Sequence, residues 1–143
     1  MRIAVLSDTH MNKPNPALVG AYEQVMQDLD AVLHCGDITG EQVFSYLNSH
    51  PRFYAVAGNM DSGQWADELP RKTTVRVGEF HIGVVHGFGL GSGPLAEKVA
   101  ASFKDQGLDL VCFGHTHKRL FETDLYALPV LNPGSFALPK DSS

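Results

Sequence analysis

Short apolar runs alternate with helical patterns along this chain. Residues 2–6, 31–35 and 53–57 are runs of strand length dominated by Ala, Val and Leu. Between the first two, Asn15-Pro16 opens a helix, because Asn can cap it and Pro suits the first helical position. Leu18, Tyr22, Val25, Met26 and Leu29 recur at helical spacing and form its apolar stripe. Thr39 is the expected cap of a second helix over 40–49, with Glu41 and Gln42 in its first turn. This βαβαβ start predicts parallel strands with right-handed crossovers.

The second half changes rhythm. Residues 73–77 and 80–85, joined through Gly78, predict an antiparallel hairpin. Pro94 opens a helix that runs to 106, with Gly107 as its stop. Residues 110–113 form a buried strand, and 118–122 and 128–131 add further strands. No repeat, low-complexity tract or charge block marks a linker. The expectation is one α/β domain spanning 1–143.

Composition narrows the class. Hydrophobic residues make up 43% and charged residues 19% of the 143, a globular balance. The net charge of -5 argues against a broad face for duplex nucleic acid, so no stable nucleic-acid complex is expected. It leaves phosphate chemistry open, because bound cations reverse the field locally. No run approaches the roughly 18 apolar residues of a membrane span. The apolar N-terminus breaks at once into Ser7-Asp8-Thr9-His10, which is no secretory signal. Cys35 and Cys112 lie far apart in apolar segments and read as free, buried thiols. A cytoplasmic protein is expected.

A further pattern is one that folding alone does not require. Nearly every apolar strand ends in a side chain able to bind a metal: Asp8 and His10, Asp37, Asn59, His86, then His115 and His117. Ligands of open α/β sheets bind outside the carboxyl ends of strands, so these groups should converge there. Each has a plainer reading alone. Asp37 could be a helix cap or turn former, Asn59 a turn residue, and His86 a hydrogen-bonded histidine at a strand end. The pairs Asp8-x-His10 and His115-x-His117 are stronger, since alternation on an extended segment puts both side chains on one side. Carboxylate, amide and imidazole ligands suit Mn²⁺, Fe, Zn²⁺ or Ni²⁺, and no thiolate indicates a closed structural zinc site. Seven such residues suit two ions about 3.5–4 Å apart, bridged by a carboxylate.

At these residues the chain resembles the calcineurin-like metallophosphoesterase superfamily. Asp8-x-His10, Gly36-Asp37, Gly58-Asn59, His86-Gly87 and Gly114-His115-Thr116-His117 are similar to its ordered motifs. Gly58-Asn59-Met60-Asp61 and Asn132-Pro133-Gly134-Ser135 further resemble its small prokaryotic phosphodiesterase branch, and the likeness runs from residue 1 to about 139. It implies a four-layer αββα sandwich of mixed sheets. It also implies one ion on Asp8, His10, Asp37 and His117, with Asp37 bridging to a second ion on Asn59, His86 and His115. In-line attack by a metal-bridging hydroxide is the implied mechanism, with catalytic roles for His10, at the leaving group, and Asn59. The implied cofactors are two divalent ions, Mn²⁺ first and Zn²⁺, Ni²⁺ or Fe as alternatives. The implied partner is a small phosphoester, with a homodimer as the plain expectation for assembly.

Two departures shape the reading. Many members follow Gly-Asn with a histidine that assists the leaving group; here Met60 stands there and cannot donate a proton. That favours diesters over monoesters. Relatives also carry another strand or two after the position of Lys140, which implies a shortened sheet or an edge covered by a partner. Trp65 could stack on a substrate ring or anchor a lid, the latter being the plainer reading. Lys118 and Arg119 could hold a phosphate or be solvated strand ends. Gly89-x-Gly91-x-Gly93 lacks a following Walker lysine and reads as a flexible loop. Two other classes compete with hydrolysis: a scaffold, since the retromer scaffold subunit resembles this fold with several ligands lost, and a regulatory or nucleotide-binding module with structural metals. All seven positions are filled here, which favours catalysis.

Overall fold

A computed structural model describes residues 1–90 and 93–137. β1 (Ile3–Leu6), β2 (Ala31–His34) and β3 (Phe53–Ala55) form a parallel three-stranded sheet in that order. β4 (Lys72–Val77), β5 (Phe80–Val85), β6 (Leu110–Cys112), β7 (Arg119–Glu122) and β8 (Val130–Pro133) form a mixed sheet ordered β4-β5-β6-β8-β7. The β4–β5 hairpin is antiparallel with Val77 opposite Phe80, and β6 runs parallel to both β5 and β8.

Alternation along the strands builds three apolar layers. Val32 joins Leu18, Tyr22, Val43 and Leu47 of α1 (Pro16–Gln24) and α2 (Glu41–Leu47), so these helices cover one face of the parallel sheet. Ala31 and Leu33 point the other way, into the space between the sheets with Val75, Ile82, Val84 and Cys112. Val111 and Val130 pack under Val99, Ala100 and Phe103 of the segment around α4 (Leu95–Ser102). Helix, sheet, sheet and helix therefore stack as the αββα sandwich. Cys35 and Cys112 are free and buried between the sheets, and burial pushes the Cys112 thiol up to about 12.

Several boundaries move for local reasons. Asn15 caps α1 through its side chain, which accepts from the Leu18 N–H at 2.8 Å, with Pro16 opening the helix. The stripe breaks at Val25: α1 ends at Gln24, and a tighter 3₁₀ turn over Met26–Asp28 leaves Val25 half exposed while Met26 stays buried. The second helix is capped by Gly40, not Thr39, because Thr39 takes a left-handed φ of 69° and gives its N–H to Asp61. α4 stops at Ser102 instead of 106, its last turn closed by short bonds from Phe103 to Ala100 and from Lys104 to Ala101. α3 (Gln64–Asp67) is a single turn that no apolar periodicity announces.

Among the described residues, three strands face five and do not cover them. Beside β1 the inner face of the mixed sheet stays open as a groove of about 430 Å³, lined among the described residues by Met1, Ile3, Phe80, Ile82, Leu110 and Phe121. Among the described residues no helix is long and apolar enough to cross a membrane.

Candidate metal centre

Loops after β1, β2, β5 and β6 meet at one edge of the sandwich, and backbone bonds tie them in pairs. The Asp8 N–H donates to the Gly36 carbonyl at 2.9 Å, and Gly114 N–H to the His86 carbonyl at 3.1 Å. Among the described residues, seven other than glycine have positive φ, and five of them are Asp8, His10, Asp37, His115 and His117. Such conformations cost about 1–3 kcal/mol each and persist only where surrounding contacts enforce them. Their concentration on the strand-end set marks a site built for geometry.

The contacts show what is enforced. Asp8 Oδ2 accepts from Ser7 Oγ at 2.5 Å and from the His115 N–H at 3.2 Å, which leaves Oδ1 facing inward. Asp37 Oδ1 accepts from the Met60 N–H at 2.8 Å, which leaves Oδ2 facing inward. His86 Nδ1–H donates to the Cys35 carbonyl at 2.8 Å and presents Nε2. That Nε2 stands 3.2 Å from Asp37 Oδ2 and 3.9 Å from Asp8 Oδ1. His117 Nε2 is 3.3 Å from Asp8 Oδ1, and His10 Nε2 lies 3.6 Å from Asp8 Oδ1 and 3.7 Å from Asp37 Oδ2.

Asp8 Oδ1, His10 Nε2 and His86 Nε2 are buried and have no hydrogen-bond partner among the described residues. Buried polar atoms are rarely orphaned, so three of them gathered around the Asp8 carboxylate require an explanation. Two donors each about 2.1 Å from a shared ion, at roughly 100° to one another, stand about 3.2 Å apart. The 3.2 and 3.3 Å spacings fit that arrangement, and those of 3.6–3.9 Å correspond to wider angles of about 120–135°. The ligand atoms fall into two groups, Asp8-His10-His117 and Asp8-Asp37-His86. Asp8 is common to both, while Asp37 also reaches His10.

His115 and Asn59 stand just outside these groups. The His115 ring packs 5.1 Å from that of His86, and Asn59 is exposed, lining a cavity together with His86. Asn132 donates to the Gly114 carbonyl and to Thr116 Oγ1, and Ser135 Oγ donates to the Asp8 carbonyl. The Asn132–Ser135 motif thus braces the turns that carry the candidate ligands.

Two supporting residues carry roles that spacing does not reveal. Asp61 accepts three backbone N–H groups, from Asp37, Thr39 and Gly58, and so clamps the loop after β2 to the loop after β3. His34, wholly buried, accepts the Gly36 N–H on Nδ1, so its proton sits on Nε2 and is donated to Thr9 Oγ1. Thr9 then donates to the Ile38 carbonyl. The only hint of His34 in the sequence is a titratable residue inside an apolar run.

Electrostatics follows the geometry. Burial alone would raise Asp37, but His86, the Met60 N–H and His10 outweigh it and hold the carboxyl below its ordinary range. Burial would lower His86, yet the facing Asp37 and Asp8 carboxylates keep it above the usual imidazole range. Burial and then His86 push His115 down.

The remaining sequence candidates separate clearly. Trp65 stacks on Phe44 at 5.4 Å and 29° against the helical layer, the anchoring role. Met60 points outward at 59% exposure and serves the site through its backbone N–H alone. Lys118 and Arg119 line a separate cavity with Thr116 and Asn132. Gly89 and Gly93 both have positive φ, while Gly91 lies outside the described residues.

With this geometry in place, relatives identify the class. The calcineurin-like phosphoesterase superfamily domain matches residues 1–143, and the chain belongs to that family. It is 33% identical over 140 residues to a probable metallophosphoesterase of Methanocaldococcus jannaschii, covering 98% of this chain and 70% of the relative. A phosphodiesterase of the same organism is 28% identical over 149 residues, covering 94% and 83%. Among solved structures, wild-type Vps29 complexed with zinc from Entamoeba histolytica superposes with a TM-score of 0.75 at 24% identity, covering 98% and 77%. That last likeness is one of fold.

Proposed function

We propose that this protein hydrolyses phosphodiester bonds of small or nucleotide-like substrates at a centre of two divalent ions held by Asp8, His10, Asp37, Asn59, His86, His115 and His117. The observation that carries this reading is the convergence of three buried, orphaned ligand atoms, Asp8 Oδ1, His10 Nε2 and His86 Nε2. A family of metallophosphoesterases with a phosphodiesterase-named relative supports it. Bound ions supply Lewis acidity and a hydroxide nucleophile at neutral pH.

The chain's own residues do the rest. Asp8 and Asp37 bring negative charge, each with one oxygen anchored and one presented, so the cage is set before substrate arrives. His10, with its side chain 20% exposed, stands at the open edge where a leaving group would depart. Asn59 brings an amide to the His86 side. Met60 itself has no proton to donate, which favours diesters, whose leaving groups depend less on protonation than those of monoester dianions. Mn²⁺ is the ion we assign first, on the oxygen and nitrogen donor set. We place the protein in the cytoplasm and infer a homodimer, supported by the open groove beside β1.

The test is hydrolysis of bis(4-nitrophenyl) phosphate with Mn²⁺. Asp37→Ala and His86→Ala should each cut kcat by at least about 100-fold and lower metal content. Faster turnover of 4-nitrophenyl phosphate than of the diester would overturn the diester preference. Two bound ions without turnover in any divalent metal would instead make the protein a metal-binding scaffold.

A further inference from the structure

On the Asn59 and His86 side of the centre, the surface folds into a cavity of about 190 Å³. Ala57, Val85, Leu90 and Phe88 make its walls apolar, and Arg71 and Lys72 line it as well. Whole-ligand pockets run from about 300 to 1,000 Å³, so this one holds a single arm of a substrate.

The two cations differ in what they are free to do. Lys72 Nζ donates to the Ser102 carbonyl and lies 4.3 Å over the Phe103 ring, which commits it to the fold. Arg71 is exposed, and among the described residues its guanidinium meets no hydrogen-bond or ion-pair partner. Its planar fork matches a carboxylate or phosphate. Phe88 is 61% exposed, and its ring packs 5.7 Å from that of His115. An aromatic ring left in solvent beside a candidate ligand offers a face for a planar group.

We propose that this cavity selects phosphoesters whose second arm is an aromatic ring bearing a further negative charge, the ring lying against Phe88 and the charge on Arg71. This rests on the reading of the centre as the phosphate site. Phosphonates separate the two ideas, because their carbon–phosphorus bond is not hydrolysed and binding is read without turnover. The measurement is calorimetric titration of the Mn²⁺-loaded protein with phenylphosphonic acid and with 3- and 4-phosphonobenzoic acid.

One carboxylated isomer should bind roughly tenfold tighter than phenylphosphonic acid, the size of one charge-assisted hydrogen bond at a partly exposed site. In Arg71→Gln that ratio should fall to near one, and Phe88→Ala should weaken the aromatic phosphonates several-fold relative to methylphosphonic acid. Equal binding of charged and uncharged rings by the wild type would overturn the proposal. So would a preference that survives Arg71→Gln, or the absence of any phosphonate binding. Selective binding without hydrolysis of any ester would leave the cavity standing and sink the hydrolase reading alone.

Discussion

His34 shows how much of a site can rest on a residue that touches no ligand. Burial first, and then the neighbouring His86, push its pKa from 6.5 down to about 3. The folded state therefore binds fewer protons than the unfolded one, in which His34 titrates near 6.5. Its contribution to stability is complete above that value and falls by about 1.4 kcal/mol per unit as pH drops toward 3. Between pH 7.5 and 5.0, urea unfolding of the metal-free wild type should lose about 2 kcal/mol more than that of His34→Gln. Equal losses in the two proteins would refute this. The residue lies inside an apolar run, and its partners come from Thr9 and Gly36, which only the pairing of β1 with β2 brings near. Asp61 is similar: its place in a motif is visible in the chain, whereas its hold on three backbone amides exists only once two loops meet.

Elements transmit this order through close approach at strand ends. A Cβ on Gly114 would run into Ser7 Oγ and stand 2.7 Å from Asp8 Oδ2, so the loop after β6 can lie against the end of β1 only with no side chain there. Gly114→Ala must displace the anchored carboxylate. It should cost about 1–3 kcal/mol by overpacking and weaken Mn²⁺ binding at least tenfold, read by thermal unfolding and metal titration. Gly20→Ala is the contrast. Gly20 lies inside α1 with nothing within 4 Å of an added Cβ, so the change should stabilise by about 0.5–1 kcal/mol and leave metal affinity unchanged. A Gly114→Ala protein with wild-type metal affinity would show that the approach is not needed. The strand cores at this scale are legible from alternation, while helix ends are less so. Thr39 loses its capping role to Gly40 because it takes a left-handed φ, not the extended one a cap needs, where Asp61, 22 positions away, holds its N–H. α4 stops early where short i to i−3 bonds take over its last turn.

For the molecule as a whole, the unequal widths of the two sheets among the described residues are the dominant fact. A three-stranded sheet against a five-stranded one leaves Phe80 and Phe121 at 51% and 64% exposure beside the groove. Covering such a face favours association. Sedimentation equilibrium at about 100 µM should give a dimer, a form that Phe121→Glu shifts to monomer; a wild-type monomer at that concentration would remove the inference. The sequence by itself determined the layered α/β class, the strand cores and the row of candidate ligands at strand ends, because a period of two and the residues that follow each strand are local properties. Tertiary structure alone decided which oxygen of each carboxylate is anchored, that Asp8 belongs to both ligand groups, and where the cavity beside His86 opens. Those outcomes depend on contacts such as His115 to Asp8 and Ser135 to Asp8, 107 and 127 positions apart. No local pattern encodes them, since they form only when both sheets close on one edge.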